Sequence, residues 1–191
     1  MRIIAGAWRG RRLLTPSGQA TRPMLDHVRE AVFNTLAPWL DGARVLDLFA
    51  GTGSLGLEAL SRGARHARFV DLAREARELL EENIATVGAE GRADIVVGDA
   101  LSPSSWGAES PDLVFLDPPF PMVRELSGRR EVLAGVEALL TRLAPEGVIV
   151  LHVPRHALGE HELPASCVSR ERIYGSQSVW FLQLDEPEEE A

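Results

Sequence analysis

The chain has 191 residues and a formal net charge of -8, a length that makes one ordinary domain with its own core and leaves room only for a small appendage. Its single cysteine, Cys167, excludes a disulfide framework and a thiolate zinc cluster and points to a reducing compartment. No apolar run is long enough to span a bilayer, and the opening MRIIAGAWRGRR lacks the order of a signal peptide, so a cytoplasmic protein is expected.

The charges are unevenly placed. Met1 to Arg29 carries six arginines (Arg2, Arg9, Arg11, Arg12, Arg22, Arg29) against one acid, Asp26, whereas Asp185 to Glu190 supplies five acids. Every basic residue is an arginine, so the front segment offers planar, bidentate phosphate ligands. Arg2 to Thr15 reads as a hairpin, with Ile3 and Ile4 on one arm, Leu13 and Leu14 on the other, and Gly6 and Gly10 near the bend. Trp8 is either a base-stacking platform or an aromatic packed beneath that hairpin. Pro16 to Ala20 is a loop by composition. Asp26 then reads as the N-cap of a helix with Val28, Val32, Phe33 and Leu36 at helical spacing, ending at Pro38.

The next stretch, Val45 to Leu60, organises the rest. Val45, Leu46, Leu48 and Phe49 form a short apolar run, Gly51 and Gly53 allow a tight turn with bare backbone, and Leu55, Leu57, Ala59 and Leu60 begin a helix whose free amides face that turn. Taken as letters, Gly51-Thr52-Gly53-Ser54-Leu55-Gly56 also satisfies the dinucleotide fingerprint, with Asp71 about 20 residues on. Asp47 argues against a pyrophosphate, because a carboxylate just before the turn would repel it. The sulfonium and ammonium of S-adenosylmethionine fit such a site better.

Strands and helices then alternate. Ala67 to Val70 is a strand closed by Asp71, Leu72 to Val87 a helix, Ala93 to Val97 a strand closed by Gly98-Asp99, and Ser102 to Ser110 a loop. Leu113 to Leu116 is a strand ending in Asp117-Pro118-Pro119-Phe120, Glu131 to Leu143 a helix, and Val148 to Val153 a strand. This alternation predicts parallel βαβ units with helices on both faces. Cys167 to Ile173 and Ser178 to Leu184 have no helix between them, only Tyr174-Gly175-Ser176-Gln177, and should form an antiparallel hairpin. The expected fold is therefore α/β and Rossmann-like, a mostly parallel seven-stranded sheet ending in that hairpin.

Asp47, Asp71, Asp99 and Asp117 each close an apolar strand, and in an open parallel sheet the carboxyl ends of the strands line one ligand crevice. For an adenosine ligand, Asp71 can accept from both ribose hydroxyls and Asp99 from the adenine amino group. Around them, Phe49, Ala50, Gly51, Gly53, Leu72 and Ala100 complete the expected cofactor contacts. Asp117-Pro118-Pro119-Phe120 matches the amino-methyltransferase signature, Asp or Asn followed by Pro-Pro-aromatic. An exocyclic base amine is a weak nucleophile. Its hydrogens, accepted by the Asp117 carboxylate and the Pro118 carbonyl, would aim its lone pair at the sulfonium methyl, while Phe120 stacks the base.

With these motifs the chain resembles class I S-adenosylmethionine-dependent methyltransferases acting on base amines. Arg2-Ile3-Ile4-Ala5-Gly6, Trp8 to Leu13, Arg22-Pro23 and Asp26 to Asn34 narrow the resemblance to the RsmD-type family, which methylates guanine N2 in 16S ribosomal RNA. The resemblance implies one domain over residues 1–184, with 1–40 a basic extension that helps close the cofactor pocket and faces RNA, 41–184 a catalytic core, and 185–191 a disordered tail. A monomer without metal is expected, acting on 16S rRNA naked or within the small subunit or an assembly intermediate. Met24 stands where the family has threonine, Asp71 where glutamate is commoner, and His152 where an acid is common; no role is assigned to His152. An adenine-N6 methyltransferase and a non-catalytic assembly factor remain as alternatives.

Overall fold

The central strands are short apolar runs bounded by turns, since a buried parallel strand needs nothing polar along its length, whereas the edge strand Cys167–Tyr174 is polar from Ser169 to Arg172. In the computed structural model, which describes residues 1–15 and 24–185, there are seven strands: β1 (Arg44–Leu48), β2 (His66–Asp71), β3 (Ala93–Val97), β4 (Leu113–Leu116), β5 (Val148–Pro154), β6 (Cys167–Tyr174) and β7 (Gln177–Leu184). They form one sheet in the order β3-β2-β1-β4-β5-β7-β6, with only β7 running against its neighbours. Helices α1 (Asp26–Thr35), α2 (Ser54–Ser61), α3 (Arg74–Val87), α4 (Phe120–Arg124) and α5 (Leu126–Leu140) cover it.

Alternate strand residues feed two cores. Val45, Phe69, Phe115 and Val150 cluster with Phe33 of α1, Leu57 of α2 and Ile84 of α3, and with Ile3 and Leu13 of the front segment. Leu46, Leu48, Leu116 and Leu151 cluster instead with Val136 and Leu139 of α5. The result is three layers around a sheet whose central strands β1, β4 and β5 are buried on both faces, while the edge strands β3 and β6 stay partly or largely exposed.

Four expectations are corrected. The front segment is a hairpin only in part: Ile3 N–H donates to the Arg11 carbonyl, Gly10 N–H to the Ile3 carbonyl and Leu13 N–H to the Met1 carbonyl, each at 2.9 Å, around one antiparallel bridge, Arg2 to Arg12, and the ladder goes no further because the amides of Ile4 and Ala5 are taken by the Glu58 carboxylate of α2 at 2.7 and 3.0 Å. Asp26 lies in the first turn of α1, not at its N-cap, where Leu25 stands; the Asp26 carboxylate pairs with Arg2 and Arg29. Phe49 falls outside β1 in a left-handed conformation, φ 59°, which starts the glycine turn one residue early. Residues 120–124 are already helical, and α5 starts at Leu126 and ends at Leu140, against the expected 131 and 143. The sequence Leu126-Ser127-Gly128-Arg129-Arg130 shows no apolar period, and Gly128 is there because a Cβ would lie 2.4 Å from the Met122 carbonyl oxygen.

Candidate active site

The strand order turns a sequence list into a spatial row. Because β3, β2, β1 and β4 are neighbours in that order, Asp99, Asp71, Asp47 and Asp117 stand side by side at the carboxyl edge. Between β1 and β4 the order reverses, the switch point where open α/β sheets bind ligands.

The two glycines of the turn differ in purpose. At Gly53, φ 77°, a Cβ would meet Leu80 Cδ1 at 2.3 Å, so this glycine serves packing. At Gly51, φ 54°, a Cβ would meet nothing within 4 Å, so bare backbone faces open space. Three amides of the turn and the helix start are already engaged: Gly51 N–H donates to Asp71 Oδ2 at 2.8 Å, Gly53 N–H to the Ala50 carbonyl at 2.8 Å, and Gly56 N–H to Asp47 Oδ2 at 2.8 Å.

Asp47 is 1% exposed and lies under the first turn of α2, where Gly56 leaves room for it. Burial pushes its carboxyl well above the usual range; the Gly56 amide opposes this, and the charges of Asp117 and Asp71 add to it. A cation placed beside Asp47 would favour its ionised form. Asp71 Oδ1 accepts from Ala73 N–H at 2.9 Å, so each of its oxygens holds one backbone amide and keeps a second lone-pair direction. Asp99 is exposed, with Oδ1 on the Leu101 amide at 2.9 Å, and Leu72, which follows Asp71, is 72% exposed, an apolar side chain that folding alone leaves in water. Ala100 is buried, and its carbonyl accepts from the Trp106 indole at 2.8 Å.

Asp117 leaves β4 with its side chain 29% exposed. Its Oδ1 lies 2.8 Å from Nδ1 of His152, a buried β5 residue to which the sequence reading gave no role. Burial opposes a charge on that ring, but attraction to Asp117, their hydrogen bond and the Gln177 side chain together raise the His152 pKa above its ordinary value. Phe120 meets the His152 ring edge-on, with centroids 5.2 Å apart. The Pro119 carbonyl accepts the amides of Met122 and Val123, whereas the Pro118 carbonyl accepts nothing among the described residues.

The front arginines are scattered. Arg29 is 1% exposed and is withdrawn as an RNA contact: its guanidinium is held by the Arg2 carbonyl and Asp26, and burial lowers its pKa against the attraction of Glu58 and Asp26. Arg2 pairs with Asp26. Arg11 donates to the Thr86 carbonyl near the end of α3, and the loop around Gly6 sits on Ser61, the last residue of α2. Those helices run opposite to the strands, so Arg9 and Arg11 lie toward the edge of the sheet away from Asp117. Arg12 is exposed, and Arg22 lies outside the described residues. Trp8 is packed on the core, and the Arg92 guanidinium covers its ring at 4.9 Å, so no face is left for a base.

Two further buried residues place the front segment. Glu58 holds the Ile4 and Ala5 amides and Arg62, and Asn83 holds both backbone groups of Leu14 together with the Thr52 carbonyl. Both are polar letters on otherwise amphipathic helices, and that contrast was the only available signal.

A family described as conserved hypothetical protein 95 matches residues 1–183. Ribosomal RNA small subunit methyltransferase D of Escherichia coli is 46% identical over 120 residues, which take in 63% of this chain and 60% of that protein. YlbH of Bacillus subtilis, named as a candidate rRNA methyltransferase, is 35% identical across 94% of this chain and 96% of its own. Among solved structures, that of yhhF from Escherichia coli, described as a candidate methyltransferase, superposes with a TM-score of 0.81 at 35% identity, covering 98% of this chain and 99% of that one.

Proposed function

Since the chain belongs to the RsmD-type family of methyltransferases, we propose that it transfers a methyl group from S-adenosylmethionine to the exocyclic N2 of a guanine in 16S ribosomal RNA. The observation that carries this reading is the pair of unspent acceptors at the end of β4: one oxygen of Asp117 beyond the His152 contact, and the Pro118 carbonyl. Each takes one hydrogen of the base amine, which leaves the nitrogen lone pair directed away from both. As the nitrogen gains its new bond and must shed a proton, a carboxylate oxygen is already at hand. Phe120, half-buried against His152, keeps ring surface on which an extruded base can stack.

The residues present fit the cofactor. Gly51 lets it approach bare backbone, and the Asp47, Asp71 and Asp117 carboxylates favour a cation. The remaining lone pairs of Asp71 suit ribose hydroxyls, Asp99 suits the adenine amino group, and Leu72, Phe49 and Ala100 supply apolar cover. When bound, S-adenosylmethionine supplies an electrophilic methyl on sulfonium. Arg2, Arg9, Arg11 and Arg12 add sequence-independent attraction for RNA at a distance from the reacting base.

Mapping methylated nucleosides in 16S rRNA from cells with and without the gene tests this. Loss of a single N2-methylguanosine is expected; loss of an N6-methyladenosine, or no change, would overturn the guanine assignment. Asp117→Asn keeps only one good acceptor geometry for the amine and should lower the single-turnover rate about 100- to 1000-fold while retaining cofactor binding.

A further inference from the structure

A cleft of about 610 Å³ opens beside the base-orienting loop, between the end of α4, the start of α5, the segment after β5 and the β6–β7 turn. Its charged lining is basic: Arg124, Arg129, Arg155 and His156 contribute, and no acid does. In a chain with a net charge of -8, that is a local reversal of sign. Arg129 is already engaged, with Nη1 on the Ala157 carbonyl at 2.7 Å and Nε 3.2 Å from Glu162. Arg124 and Arg155 are exposed and have no ion pair among the described residues.

The position of this pair matters as much as its charge. Arg124 is four residues beyond Phe120 on the same helix, one turn away, so their Cβ atoms are roughly 5–6 Å apart. Arg155 follows His152, which touches both Asp117 and Phe120, by three residues, and its own amide is fixed to the Ser176 carbonyl at 3.0 Å. A nucleotide whose base lies on Phe120 must bring its sugar and phosphates out over one side of this loop. The other basic cleft, of about 520 Å³ between Arg2 and Arg12, contains Asp26, which neutralises Arg2.

Resting on the function proposed above, we propose that the Arg124–Arg155 cleft grips the RNA backbone phosphates flanking the target nucleotide. Arginine suits the task, since its planar fork pairs two donors with phosphate oxygens. In this arrangement the cleft fixes the register of the strand while Asp117 and Phe120 handle the base.

The test uses the full chain and 16S rRNA from cells lacking the gene, naked and as small-subunit particles, taking whichever the parent methylates. Arg124→Gln combined with Arg155→Gln should reduce the slope of log affinity against log salt by about 1.5 to 2, raise KM, and leave S-adenosylmethionine affinity and melting temperature unchanged. Arg9→Gln with Arg12→Gln serves as the comparison and should change KM less. A methylating parent whose Arg124/Arg155 double variant keeps full affinity and salt slope would overturn the cleft alone. A parent that binds S-adenosylmethionine but neither binds nor methylates the RNA would overturn the function and the cleft together.

Discussion

At the scale of single residues, the Asp117–His152 contact occupies one carboxylate oxygen at 2.8 Å and leaves the other for substrate. An ionised carboxylate only accepts, so Nδ1–H of His152 is the donor. Nε2 then lies buried without a partner among the described residues, as does Oε1 of Gln177, which shifts the His152 pKa upward; a proton on Nε2 turns that nitrogen into a donor for such an acceptor. The folded pKa is raised above the unfolded value near 6.5, so the stability that His152 contributes is fully present below about pH 6.5 and is lost as pH rises through the folded value. His152→Asn preserves a donor near the Nδ1 position but cannot titrate. Urea unfolding across pH should show the parent losing its advantage over this variant on the alkaline side. His152→Ala should lower kcat more than KM, with partial rescue in His152→Asn, because His152 acts by positioning Asp117. A parent-minus-Asn difference that does not change with pH would remove the titrating histidine from the account. Sequence alone could not find this pair: the two residues are 35 apart, and a lone histidine in an apolar strand looks like core.

At the scale of elements, strands and the aspartates that close them were legible because each apolar run and its terminal acid are contiguous in the chain, and Ala93–Val97 and Leu113–Leu116 fall on the expected residues. What was hidden is anything that depends on a remote partner. The front segment pairs with itself as expected only around the Arg2–Arg12 bridge, while the amides of Ile4, Ala5 and Trp8 go to Glu58 and Ser61, 53 or more residues away. Gly6 and Gly10 allow this docking to be weighed, since both have φ 83° and only their surroundings differ. A Cβ at Gly6 would fall 1.9 Å from the Ser61 carbonyl oxygen, whereas at Gly10 it would meet nothing within 4 Å. Gly10→Ala should therefore cost only the left-handed backbone penalty, about 1–2 kcal/mol, and Gly6→Ala clearly more. Because Asn83 ties Leu14 to Thr52 in the glycine turn, loosening the front segment by Gly6→Ala should also weaken cofactor binding. Equal destabilisation by the two substitutions in urea would mean that the segment is not held by α2.

At the scale of the whole molecule, strand order reinforces the choice of cofactor at the glycine turn. The six letters from Gly51 to Gly56 suit a dinucleotide as well as S-adenosylmethionine; Asp47 already tips the choice in the sequence, and placing β1 between β2 and β4 gives it two acidic neighbours. That placement buries Asp47 between Asp117 and Asp71, so that burial first and then those two charges hold its carboxyl against ionisation, and it spends the Gly51 and Gly56 amides on aspartate oxygens. A pyrophosphate arriving there would find the Gly51 and Gly56 amides spent and the Asp47 and Asp71 carboxylates beside it. A sulfonium or ammonium is attracted by the same carboxylates. Calorimetry should accordingly detect binding of S-adenosylmethionine and its demethylated product but not of NAD. Saturating cofactor at about 100 times Kd should stabilise the fold by about 2.7 kcal/mol through mass action alone. Asp71→Ala removes the charged acceptor proposed for the ribose and also releases the Gly51 amide, so it should weaken S-adenosylmethionine by about 1.5–3 kcal/mol. If the sheet's acidic row is what selects the ligand, the same substitution should leave NAD no worse and could only improve it. Micromolar NAD binding by the parent, with none of S-adenosylmethionine, would show that the carboxylates are met by something other than a cation.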